Sequence, residues 1–303
     1  MLSTFVLLSF AAGALLTLQA GANAQLARAL GSPLVATTVQ LFVGAVLLML
    51  VTALSGQLAA FTGLAGVPLW HAVGGTASAF FVASTIVLYP RIGAVTAVGF
   101  IISGQMLASL ALDIFGLFGI PVHGLNAGMA VGVVLMLAGA AAIVRGGAGQ
   151  ASFKPGWLLL ALAGGAVLPL QGAVNSLLRA DLGAPMAVGA ISFIVATIAM
   201  FAVAFAVRLF SAAGAATGEG LANMPWWGWL GGFAGAAYVT TVFSSIPVIG
   251  ASATIGLTVA GQQIASLFVD QFGFFRLPKR EISAARLAGV ALLLGGVLAI
   301  QLW

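Results

Sequence analysis

Ten apolar runs, each close to the length a helix needs to cross a bilayer, decide what this chain can fold into. They lie at roughly 2–27, 33–54, 69–88, 93–118, 124–144, 156–179, 185–210, 226–246, 250–274 and 284–302. A membrane-spanning helix takes about 20 predominantly apolar residues. Within hydrocarbon, only helices and closed barrels satisfy their own backbone groups. Barrel strands are short alternating segments, and these continuous runs do not match them. The expected fold is therefore all-α and integral to the membrane, with ten transmembrane helices. Composition agrees: 62% of the 303 residues are hydrophobic and 5% are charged, whereas a soluble domain carries about 25% charged residues. With no cysteine in the chain, disulfides and thiolate metal sites are excluded.

Punctuation supports these boundaries. Pro33, Pro68, Pro90, Pro121, Pro155, Pro185, Pro225, Pro247 and Pro278 fall at predicted helix ends, where a residue without an N–H does least harm. Pro169 falls inside the sixth run and predicts a kink. Trp70, Trp157, Trp226, Trp227, Trp229 and Trp303 all sit near run ends, as an interfacial aromatic belt requires.

The two halves of the chain match. "LQAGANAQLARALGSP" (18–33) aligns without gaps with "LQGAVNSLLRADLGAP" (170–185). "PLWHAVGG" (68–75) aligns with "PWWGWLGG" (225–232), and "YPRIGA" (89–94) with "IPVIGA" (246–251). "GQMLASLALDIFG" (104–116) then has its twin in "GQQIASLFVDQFG" (261–273). Chance agreement is easy in Leu/Ala/Gly-rich sequence, but not for paired Gln, Asn, Asp and Pro. The reading is two five-helix units, 1–150 and 151–303. Five is odd, so the second unit enters the membrane from the opposite side. This is the inverted-topology repeat of secondary transporters.

Charge sets the orientation. One side of the membrane would receive Arg28, Arg91, Arg145, Lys154, Arg208, Arg276, Lys279, Arg280 and Arg286, and the other Arg179. The positive-inside rule makes the basic side cytoplasmic and leaves both termini on the outer, periplasmic side. "RLPKRE" (276–281) becomes a cytoplasmic loop facing anionic lipid, and 146–156 a cytoplasmic linker. The basic excess thus speaks of topology, not of nucleic acid. "AGANAQ" (20–25) looks like a cleavage site but has no basic stretch before it, and its segment has a twin in the second half. It is read as a retained first helix.

Polar residues in apolar helices carry the functional expectations. Gln105, Ser109 and Asp113 are spaced to form one stripe along a helix, and Gln262, Ser266 and Asp270 repeat it with Gln263 added. The functional reading is a substrate cavity lined by the Gln and Ser side chains. Asp113 and Asp270 would stand at opposite mouths as gate, cation or proton sites. The structural reading is that each Asp is hydrated, paired or capped by backbone. Ionisable groups in membrane helices are costly and point to function. Gln19 and Asn23, like Gln171 and Asn175, are one helical turn apart. They suit either substrate contact or interhelical hydrogen bonds. Pro169, beside Gln171, favours the former, because a kink frees carbonyls to line a cavity. Gly104, Ala108, Gly261 and Ala265 suit close helix packing. Tyr89 and Tyr238 read as interfacial anchors or as an aromatic wall for a cation.

His71 and His123 stand alone, and Asp181 and Glu219 fall in predicted, solvated loops. Gly231-Gly232 has no Lys-Ser/Thr after it, so no phosphate loop is expected. The chain shows no Ser/His/Asp set, zinc-ligand spacing or catalytic carboxylate pair. No enzyme, cofactor or metal is expected.

The paired helix starts "LQAGANAQL" and "LQGAVNSLL", with the twinned "GQ..ASL..D.FG", resemble the drug/metabolite transporter superfamily, and within it the YdcZ-like group, over essentially the whole chain. The resemblance implies a bacterial inner-membrane exporter. Its cavity would come from helices 1–4 and 6–9, with helices 5 and 10 peripheral. Related small multidrug exporters couple through a membrane Glu, and this chain has Asp instead. The partners implied are a small polar or cationic metabolite, a proton or other cation as coupling ion, and membrane lipid, with a homodimer left open. An ion or small-solute channel and a non-transporting scaffold are the competing classes.

Overall fold

The computed structural model describes residues 2–122, 124–147, 154–210, 218–277, 279 and 281–302. His123, Pro278, Arg280, Trp303 and linker residues 148–153 lie outside the described residues. The fold is all-α. Its long helices are α1 (Leu2–Leu30), α2 (Pro33–Leu54), α3 (Thr76–Ile92), α4 (Ala94–Phe115) and α5 (Ala127–Gly147), followed by α6 (Pro155–Leu182), α7 (Pro185–Phe210), α8 (Leu230–Ile249), α9 (Ala251–Phe272) and α10 (Ala284–Leu302). Among the described residues, eight helical spans are long and apolar enough to cross a membrane, and Ala127–Ile143 and Ala284–Ile300 are shorter apolar helices.

Local chemistry explains most boundaries. Ser32 caps α2 by accepting from the Val35 N–H at 3.3 Å, with Pro33 opening the helix. Gly183 takes a left-handed φ of 62° to end α6, as a C-terminal glycine does. Two expectations need correction. The third run is not one continuous helix: Leu69–Ala72 and a 3-10 turn at Val73–Gly75 precede α3. Pro90 and Pro247 lie inside α3 and α8, which run on to Ile92 and Ile249.

α1 lies against α8 and α9, and α6 lies against α3 and α4. α2 pairs with α7, and α5 pairs with α10. Glycines set the closest approaches. A Cβ on Gly104 of α4 would collide with the Leu162 carbonyl of α6, and one on Gly165 with the Ile101 carbonyl. The equivalent residues of the other half repeat this geometry, with Gly261 against the Phe10 carbonyl and Gly13 against that of Thr258. Between α5 and α10, Gly132 meets Gly296 and Gly139 meets Gly289, backbone on backbone. Lipid tails offer helices no hydrophobic drive to associate, so close packing of small residues supplies the attraction.

The helix ends match too. Trp70 packs on Phe118 at 6.0 Å, and Trp227 on Phe275 at 5.4 Å. Phe118 and Phe275 share left-handed φ values of 57° and 61°. One pair of contacts breaks the match: α6 packs along α8, whereas α1 and α3, its counterparts, barely touch.

Candidate functional site

α4 and α9 carry the two polar stripes, and their environments differ. Gln105, Ser109 and Asp113 are all buried, with Ser109 and Asp113 at 0% and 1% exposure. Gln262, Ser266 and Asp270 are half-buried, while Gln263 is buried. Ser109 donates to the Met106 carbonyl, and Ser266 to that of Gln263. The Gln262 carbonyl accepts from Thr17 at 3.1 Å.

Asp113 closes one end of the bundle. Its carboxylate accepts from the N–H groups of Ala251 and Ser252, each at 2.6 Å. It thereby caps the first turn of α9, where unsatisfied donors and the helix dipole favour an anion. Asp270 does not do the same for α4. It lies 2.5 Å from the Arg286 guanidinium, which also donates to Ser266 at 3.1 Å.

The Asn and Gln residues of α1 and α6 form two separate clusters. Gln171 accepts from Ser78 at 3.0 Å and donates to Ser192 at 3.4 Å; Asn175 donates to Ser192 at 3.0 Å. In the other half, Gln40 donates to the Gly228 carbonyl and accepts from the Gly232 N–H, both at 2.6 Å. Asn23 lies beside Gly231, and Gln19 beside Gly235. Gln171 and Asn175 are buried, whereas Gln19 and Asn23 are half-buried. Gln19 and Gln171 therefore each keep their own neighbours. Sequence reasoning missed Gln40, Ser78 and Ser192. A usable signal was present, because Gln40 and Ser192 hold the same place in the repeat. Tyr238 is buried in α8, and Tyr89 is 41% exposed at the end of α3.

Five buried side-chain oxygens among the described residues have no hydrogen-bond partner: Asn23 Oδ1, Gln105 Oε1, Asn175 Oδ1, Thr240 Oγ1 and Ser252 Oγ. Three are amide carbonyl oxygens, which only accept.

The end that Asp113 caps carries further ties. Pro247 cannot donate to the Phe243 carbonyl, and Ser176 of α6 donates to it instead at 2.8 Å. Arg179 donates to the Ser244 carbonyl at 3.3 Å. His71 Nδ1 lies 2.5 Å from Asp181 Oδ2. This corrects the expectation for both residues: Asp181 sits in the last turn of α6, not in a loop, and His71 is paired with it. Pro169 is buried within α6. At the opposite, basic end, Gln25 donates to the Phe275 carbonyl at 2.5 Å, and Arg91 stacks over Trp157 at 4.7 Å. No group of three or more metal-ligating side chains occurs among the described residues.

Comparison with known proteins places this geometry in a family. The family model described as "Putative inner membrane exporter, YdcZ" matches residues 4–142 and 156–299. The "Inner membrane protein YdcZ" of Escherichia coli (strain K12) is 31% identical over 113 residues, which is 37% of this chain and 75% of that protein. A crystal structure 18% identical to this chain shares its fold, with a TM-score of 0.71 over 99% of this chain and 97% of the other. The chain is a multi-pass membrane transporter of the exporter class, and it belongs to the YdcZ family of inner-membrane proteins.

Proposed function

We propose that the chain is a secondary-active exporter that moves a small polar or cationic metabolite by alternating access. Residues 1–150 and 151–303 are the two inverted five-helix halves that rock against each other. The observation that carries this reading is the contrast between equivalent ends. Asp113 is locked onto α9 while Asp270 leaves α4 free, and α6 seals against α8 while α1 stands off α3. Ile246, on the sealed side, is 0% exposed, and its counterpart Tyr89 is 41% exposed. Two mouths built from one motif and held in opposite states are what alternating access requires.

By the positive-inside rule the looser, basic end faces the cytoplasm and both termini are periplasmic. The conformation is then inward-facing, ready to load an export substrate. Gln19, Asn23, Gln105, Ser109, Gln171, Asn175, Gln262, Gln263 and Ser266 line the path, and Pro169 shapes it. The three orphan amide oxygens suit a substrate that donates hydrogen bonds. Asp113 and Asp270 act as gates, with a proton or another cation as the driving ion.

Proteoliposomes test this reading. Saturable flux with counter-substrate exchange is expected, and Asp113→Asn and Asp270→Asn should each slow it. Non-saturating electrodiffusive current would make the chain a channel and overturn the reading.

A further inference from the structure

The contact that holds Asp270 at the basic end is as specific as the one that holds Asp113 at the far end. Gly93 and Gly250 precede α4 and α9 with the same backbone, φ 77° and ψ 148° against φ 84° and ψ 162°. Both conformations lie in a region that favours glycine. Each therefore presents the first N–H groups of its helix in the same way. At Gly250 that site is filled, and a Cβ there would lie 3.4 Å from Asp113 Oδ1. At Gly93 a Cβ would meet nothing within 4 Å. The residue equivalent to Asp113 is present but is held elsewhere, in the Arg286 pair.

Arg286 is what holds Asp270 at the end of α9. The reciprocal contacts of Gly132 with Gly296 and Gly139 with Gly289 align α5 with α10. They place Met129 where α10 has Arg286. Asp270 thus faces a cation from the first turn of α10, and the matching place on α5 holds a buried thioether. From the first turn of α10, Arg286 reaches both Ser266 and Asp270, one turn apart on α9.

We propose that Asp270 exchanges partners during the cycle, and that Arg286 sets which state is favoured. In the state seen here Asp270 pairs with Arg286 and the basic end is open. In the alternate state Asp270 leaves Arg286 and caps α4 through the N–H groups of Ala94 and Val95, while Asp113 releases α9. The exchange is feasible because a partly exposed ion pair is weak, and charge-assisted bonds to a helix N-terminus can replace it. Arg286 is a positioning residue, acting through Asp270 and not on substrate. This inference rests on the alternating-access reading.

The absence of native cysteine allows spin-label pairs to be placed cleanly in the full chain. Ala94→Cys with Gln271→Cys reports the basic end, and Phe115→Cys with Val248→Cys the far end. Arg286→Gln is expected to add a shorter component to the basic-end distance and a longer one to the far-end distance. Arg286→Lys should do so less, and it guards against a folding defect. Adding Asp270→Asn to Arg286→Gln should remove the short component, because the cap is then lost. The exchange is overturned if Arg286→Gln leaves the basic-end distance unchanged, or shortens it equally with and without Asp270. Asp113→Asn separates the two levels. If it lengthens the far-end distance while Arg286→Gln moves nothing, the exchange fails and alternating access stands. If neither variant moves either pair, both fail.

Discussion

Ser176 on α6 donates its hydroxyl to the Phe243 carbonyl on α8 at 2.8 Å, the acceptor that Pro247 leaves without its helical donor. The Gly172 carbonyl of its own helix lies equally close at 2.8 Å, so the one hydroxyl proton is shared between the two carbonyls. A proline-broken helical bond has thus become an interhelical one, at the end of the bundle where Asp113 caps α9. Ser176→Ala should cost about 1 kcal/mol, the scale of an interhelical hydrogen bond in a membrane protein. Pro247→Ala would restore the N–H donor, so the same Ser176→Ala change should cost less in that background. Unfolding of the four proteins in a double-mutant cycle measures the coupling, and additive effects would show that Ser176 does not serve the proline's carbonyl.

Asp113 offers two oxygens to two N–H groups. Asparagine has one acceptor oxygen, so Asp113→Asn sets its amide NH2 against a backbone donor. Loss of a helix cap costs roughly 1 kcal/mol, and hydrogen bonds to a charged group about 1.5–3. Asp270→Asn disturbs a partly exposed pair, for which roughly 0–1 kcal/mol is usual. In detergent, Asp113→Asn should lower the unfolding midpoint clearly more than Asp270→Asn. Equal losses would mean that the two Asp residues have the same surroundings in solution.

Four glycines hold α1 to α9 and α4 to α6 with carbonyls lying where a Cβ would be. Gly104→Ala, Gly261→Ala, Gly13→Ala and Gly165→Ala should each force neighbouring helices apart and cost about 1–3 kcal/mol, the range for overpacking. The two members of each twin pair, Gly104 with Gly261 and Gly13 with Gly165, should behave alike. A Cβ on Gly156 would meet nothing within 4 Å, so Gly156→Ala should be neutral or slightly stabilising through helix propensity. Thermal unfolding and monodisperse yield of the five variants check this ordering. A harmless Gly104→Ala would remove the close approach.

What could be read in the chain follows from what is local. Apolar length and proline placement gave helix ends close to those observed, because hydrocarbon enforces helicity on any long apolar run. The Asp113–Asp270 twin was visible because a carboxyl stands out in such a run. What the two Asp residues bind was not visible. Ala251 and Ser252 lie in another helix, and Arg286 read simply as one more cytoplasmic charge. The pairing of His71 with Asp181 joins residues of different helices, and neither has a spacing that announces it. The break at Val73–Gly75 was hidden by a Leu/Ala/Gly-rich run that reads as continuous helix. Here Gly75 packs against the Ser192 carbonyl of α7, a tertiary contact that no local pattern encodes.

Substrate chemistry is the last expectation that can be tested directly. Asn23, Gln105 and Asn175 each bury an amide oxygen with no partner among the described residues. A buried acceptor left unsatisfied costs about 1–3 kcal/mol, and a ligand that supplies an N–H recovers part of it. An anion would instead place acceptor against acceptor. Purified protein screened by thermal shift should therefore be stabilised by amines, amides or guanidinium compounds and not by simple carboxylates or phosphates. A ligand at about 100 times its Kd adds about 2.7 kcal/mol, well within the resolution of such a screen. Gln105→Leu, which removes one acceptor without leaving an orphan, should raise the apo protein's unfolding midpoint and weaken the stabilisation by the amine. Stabilisation by carboxylates alone, or an amine response that Gln105→Leu leaves intact, would exclude these oxygens from the substrate path.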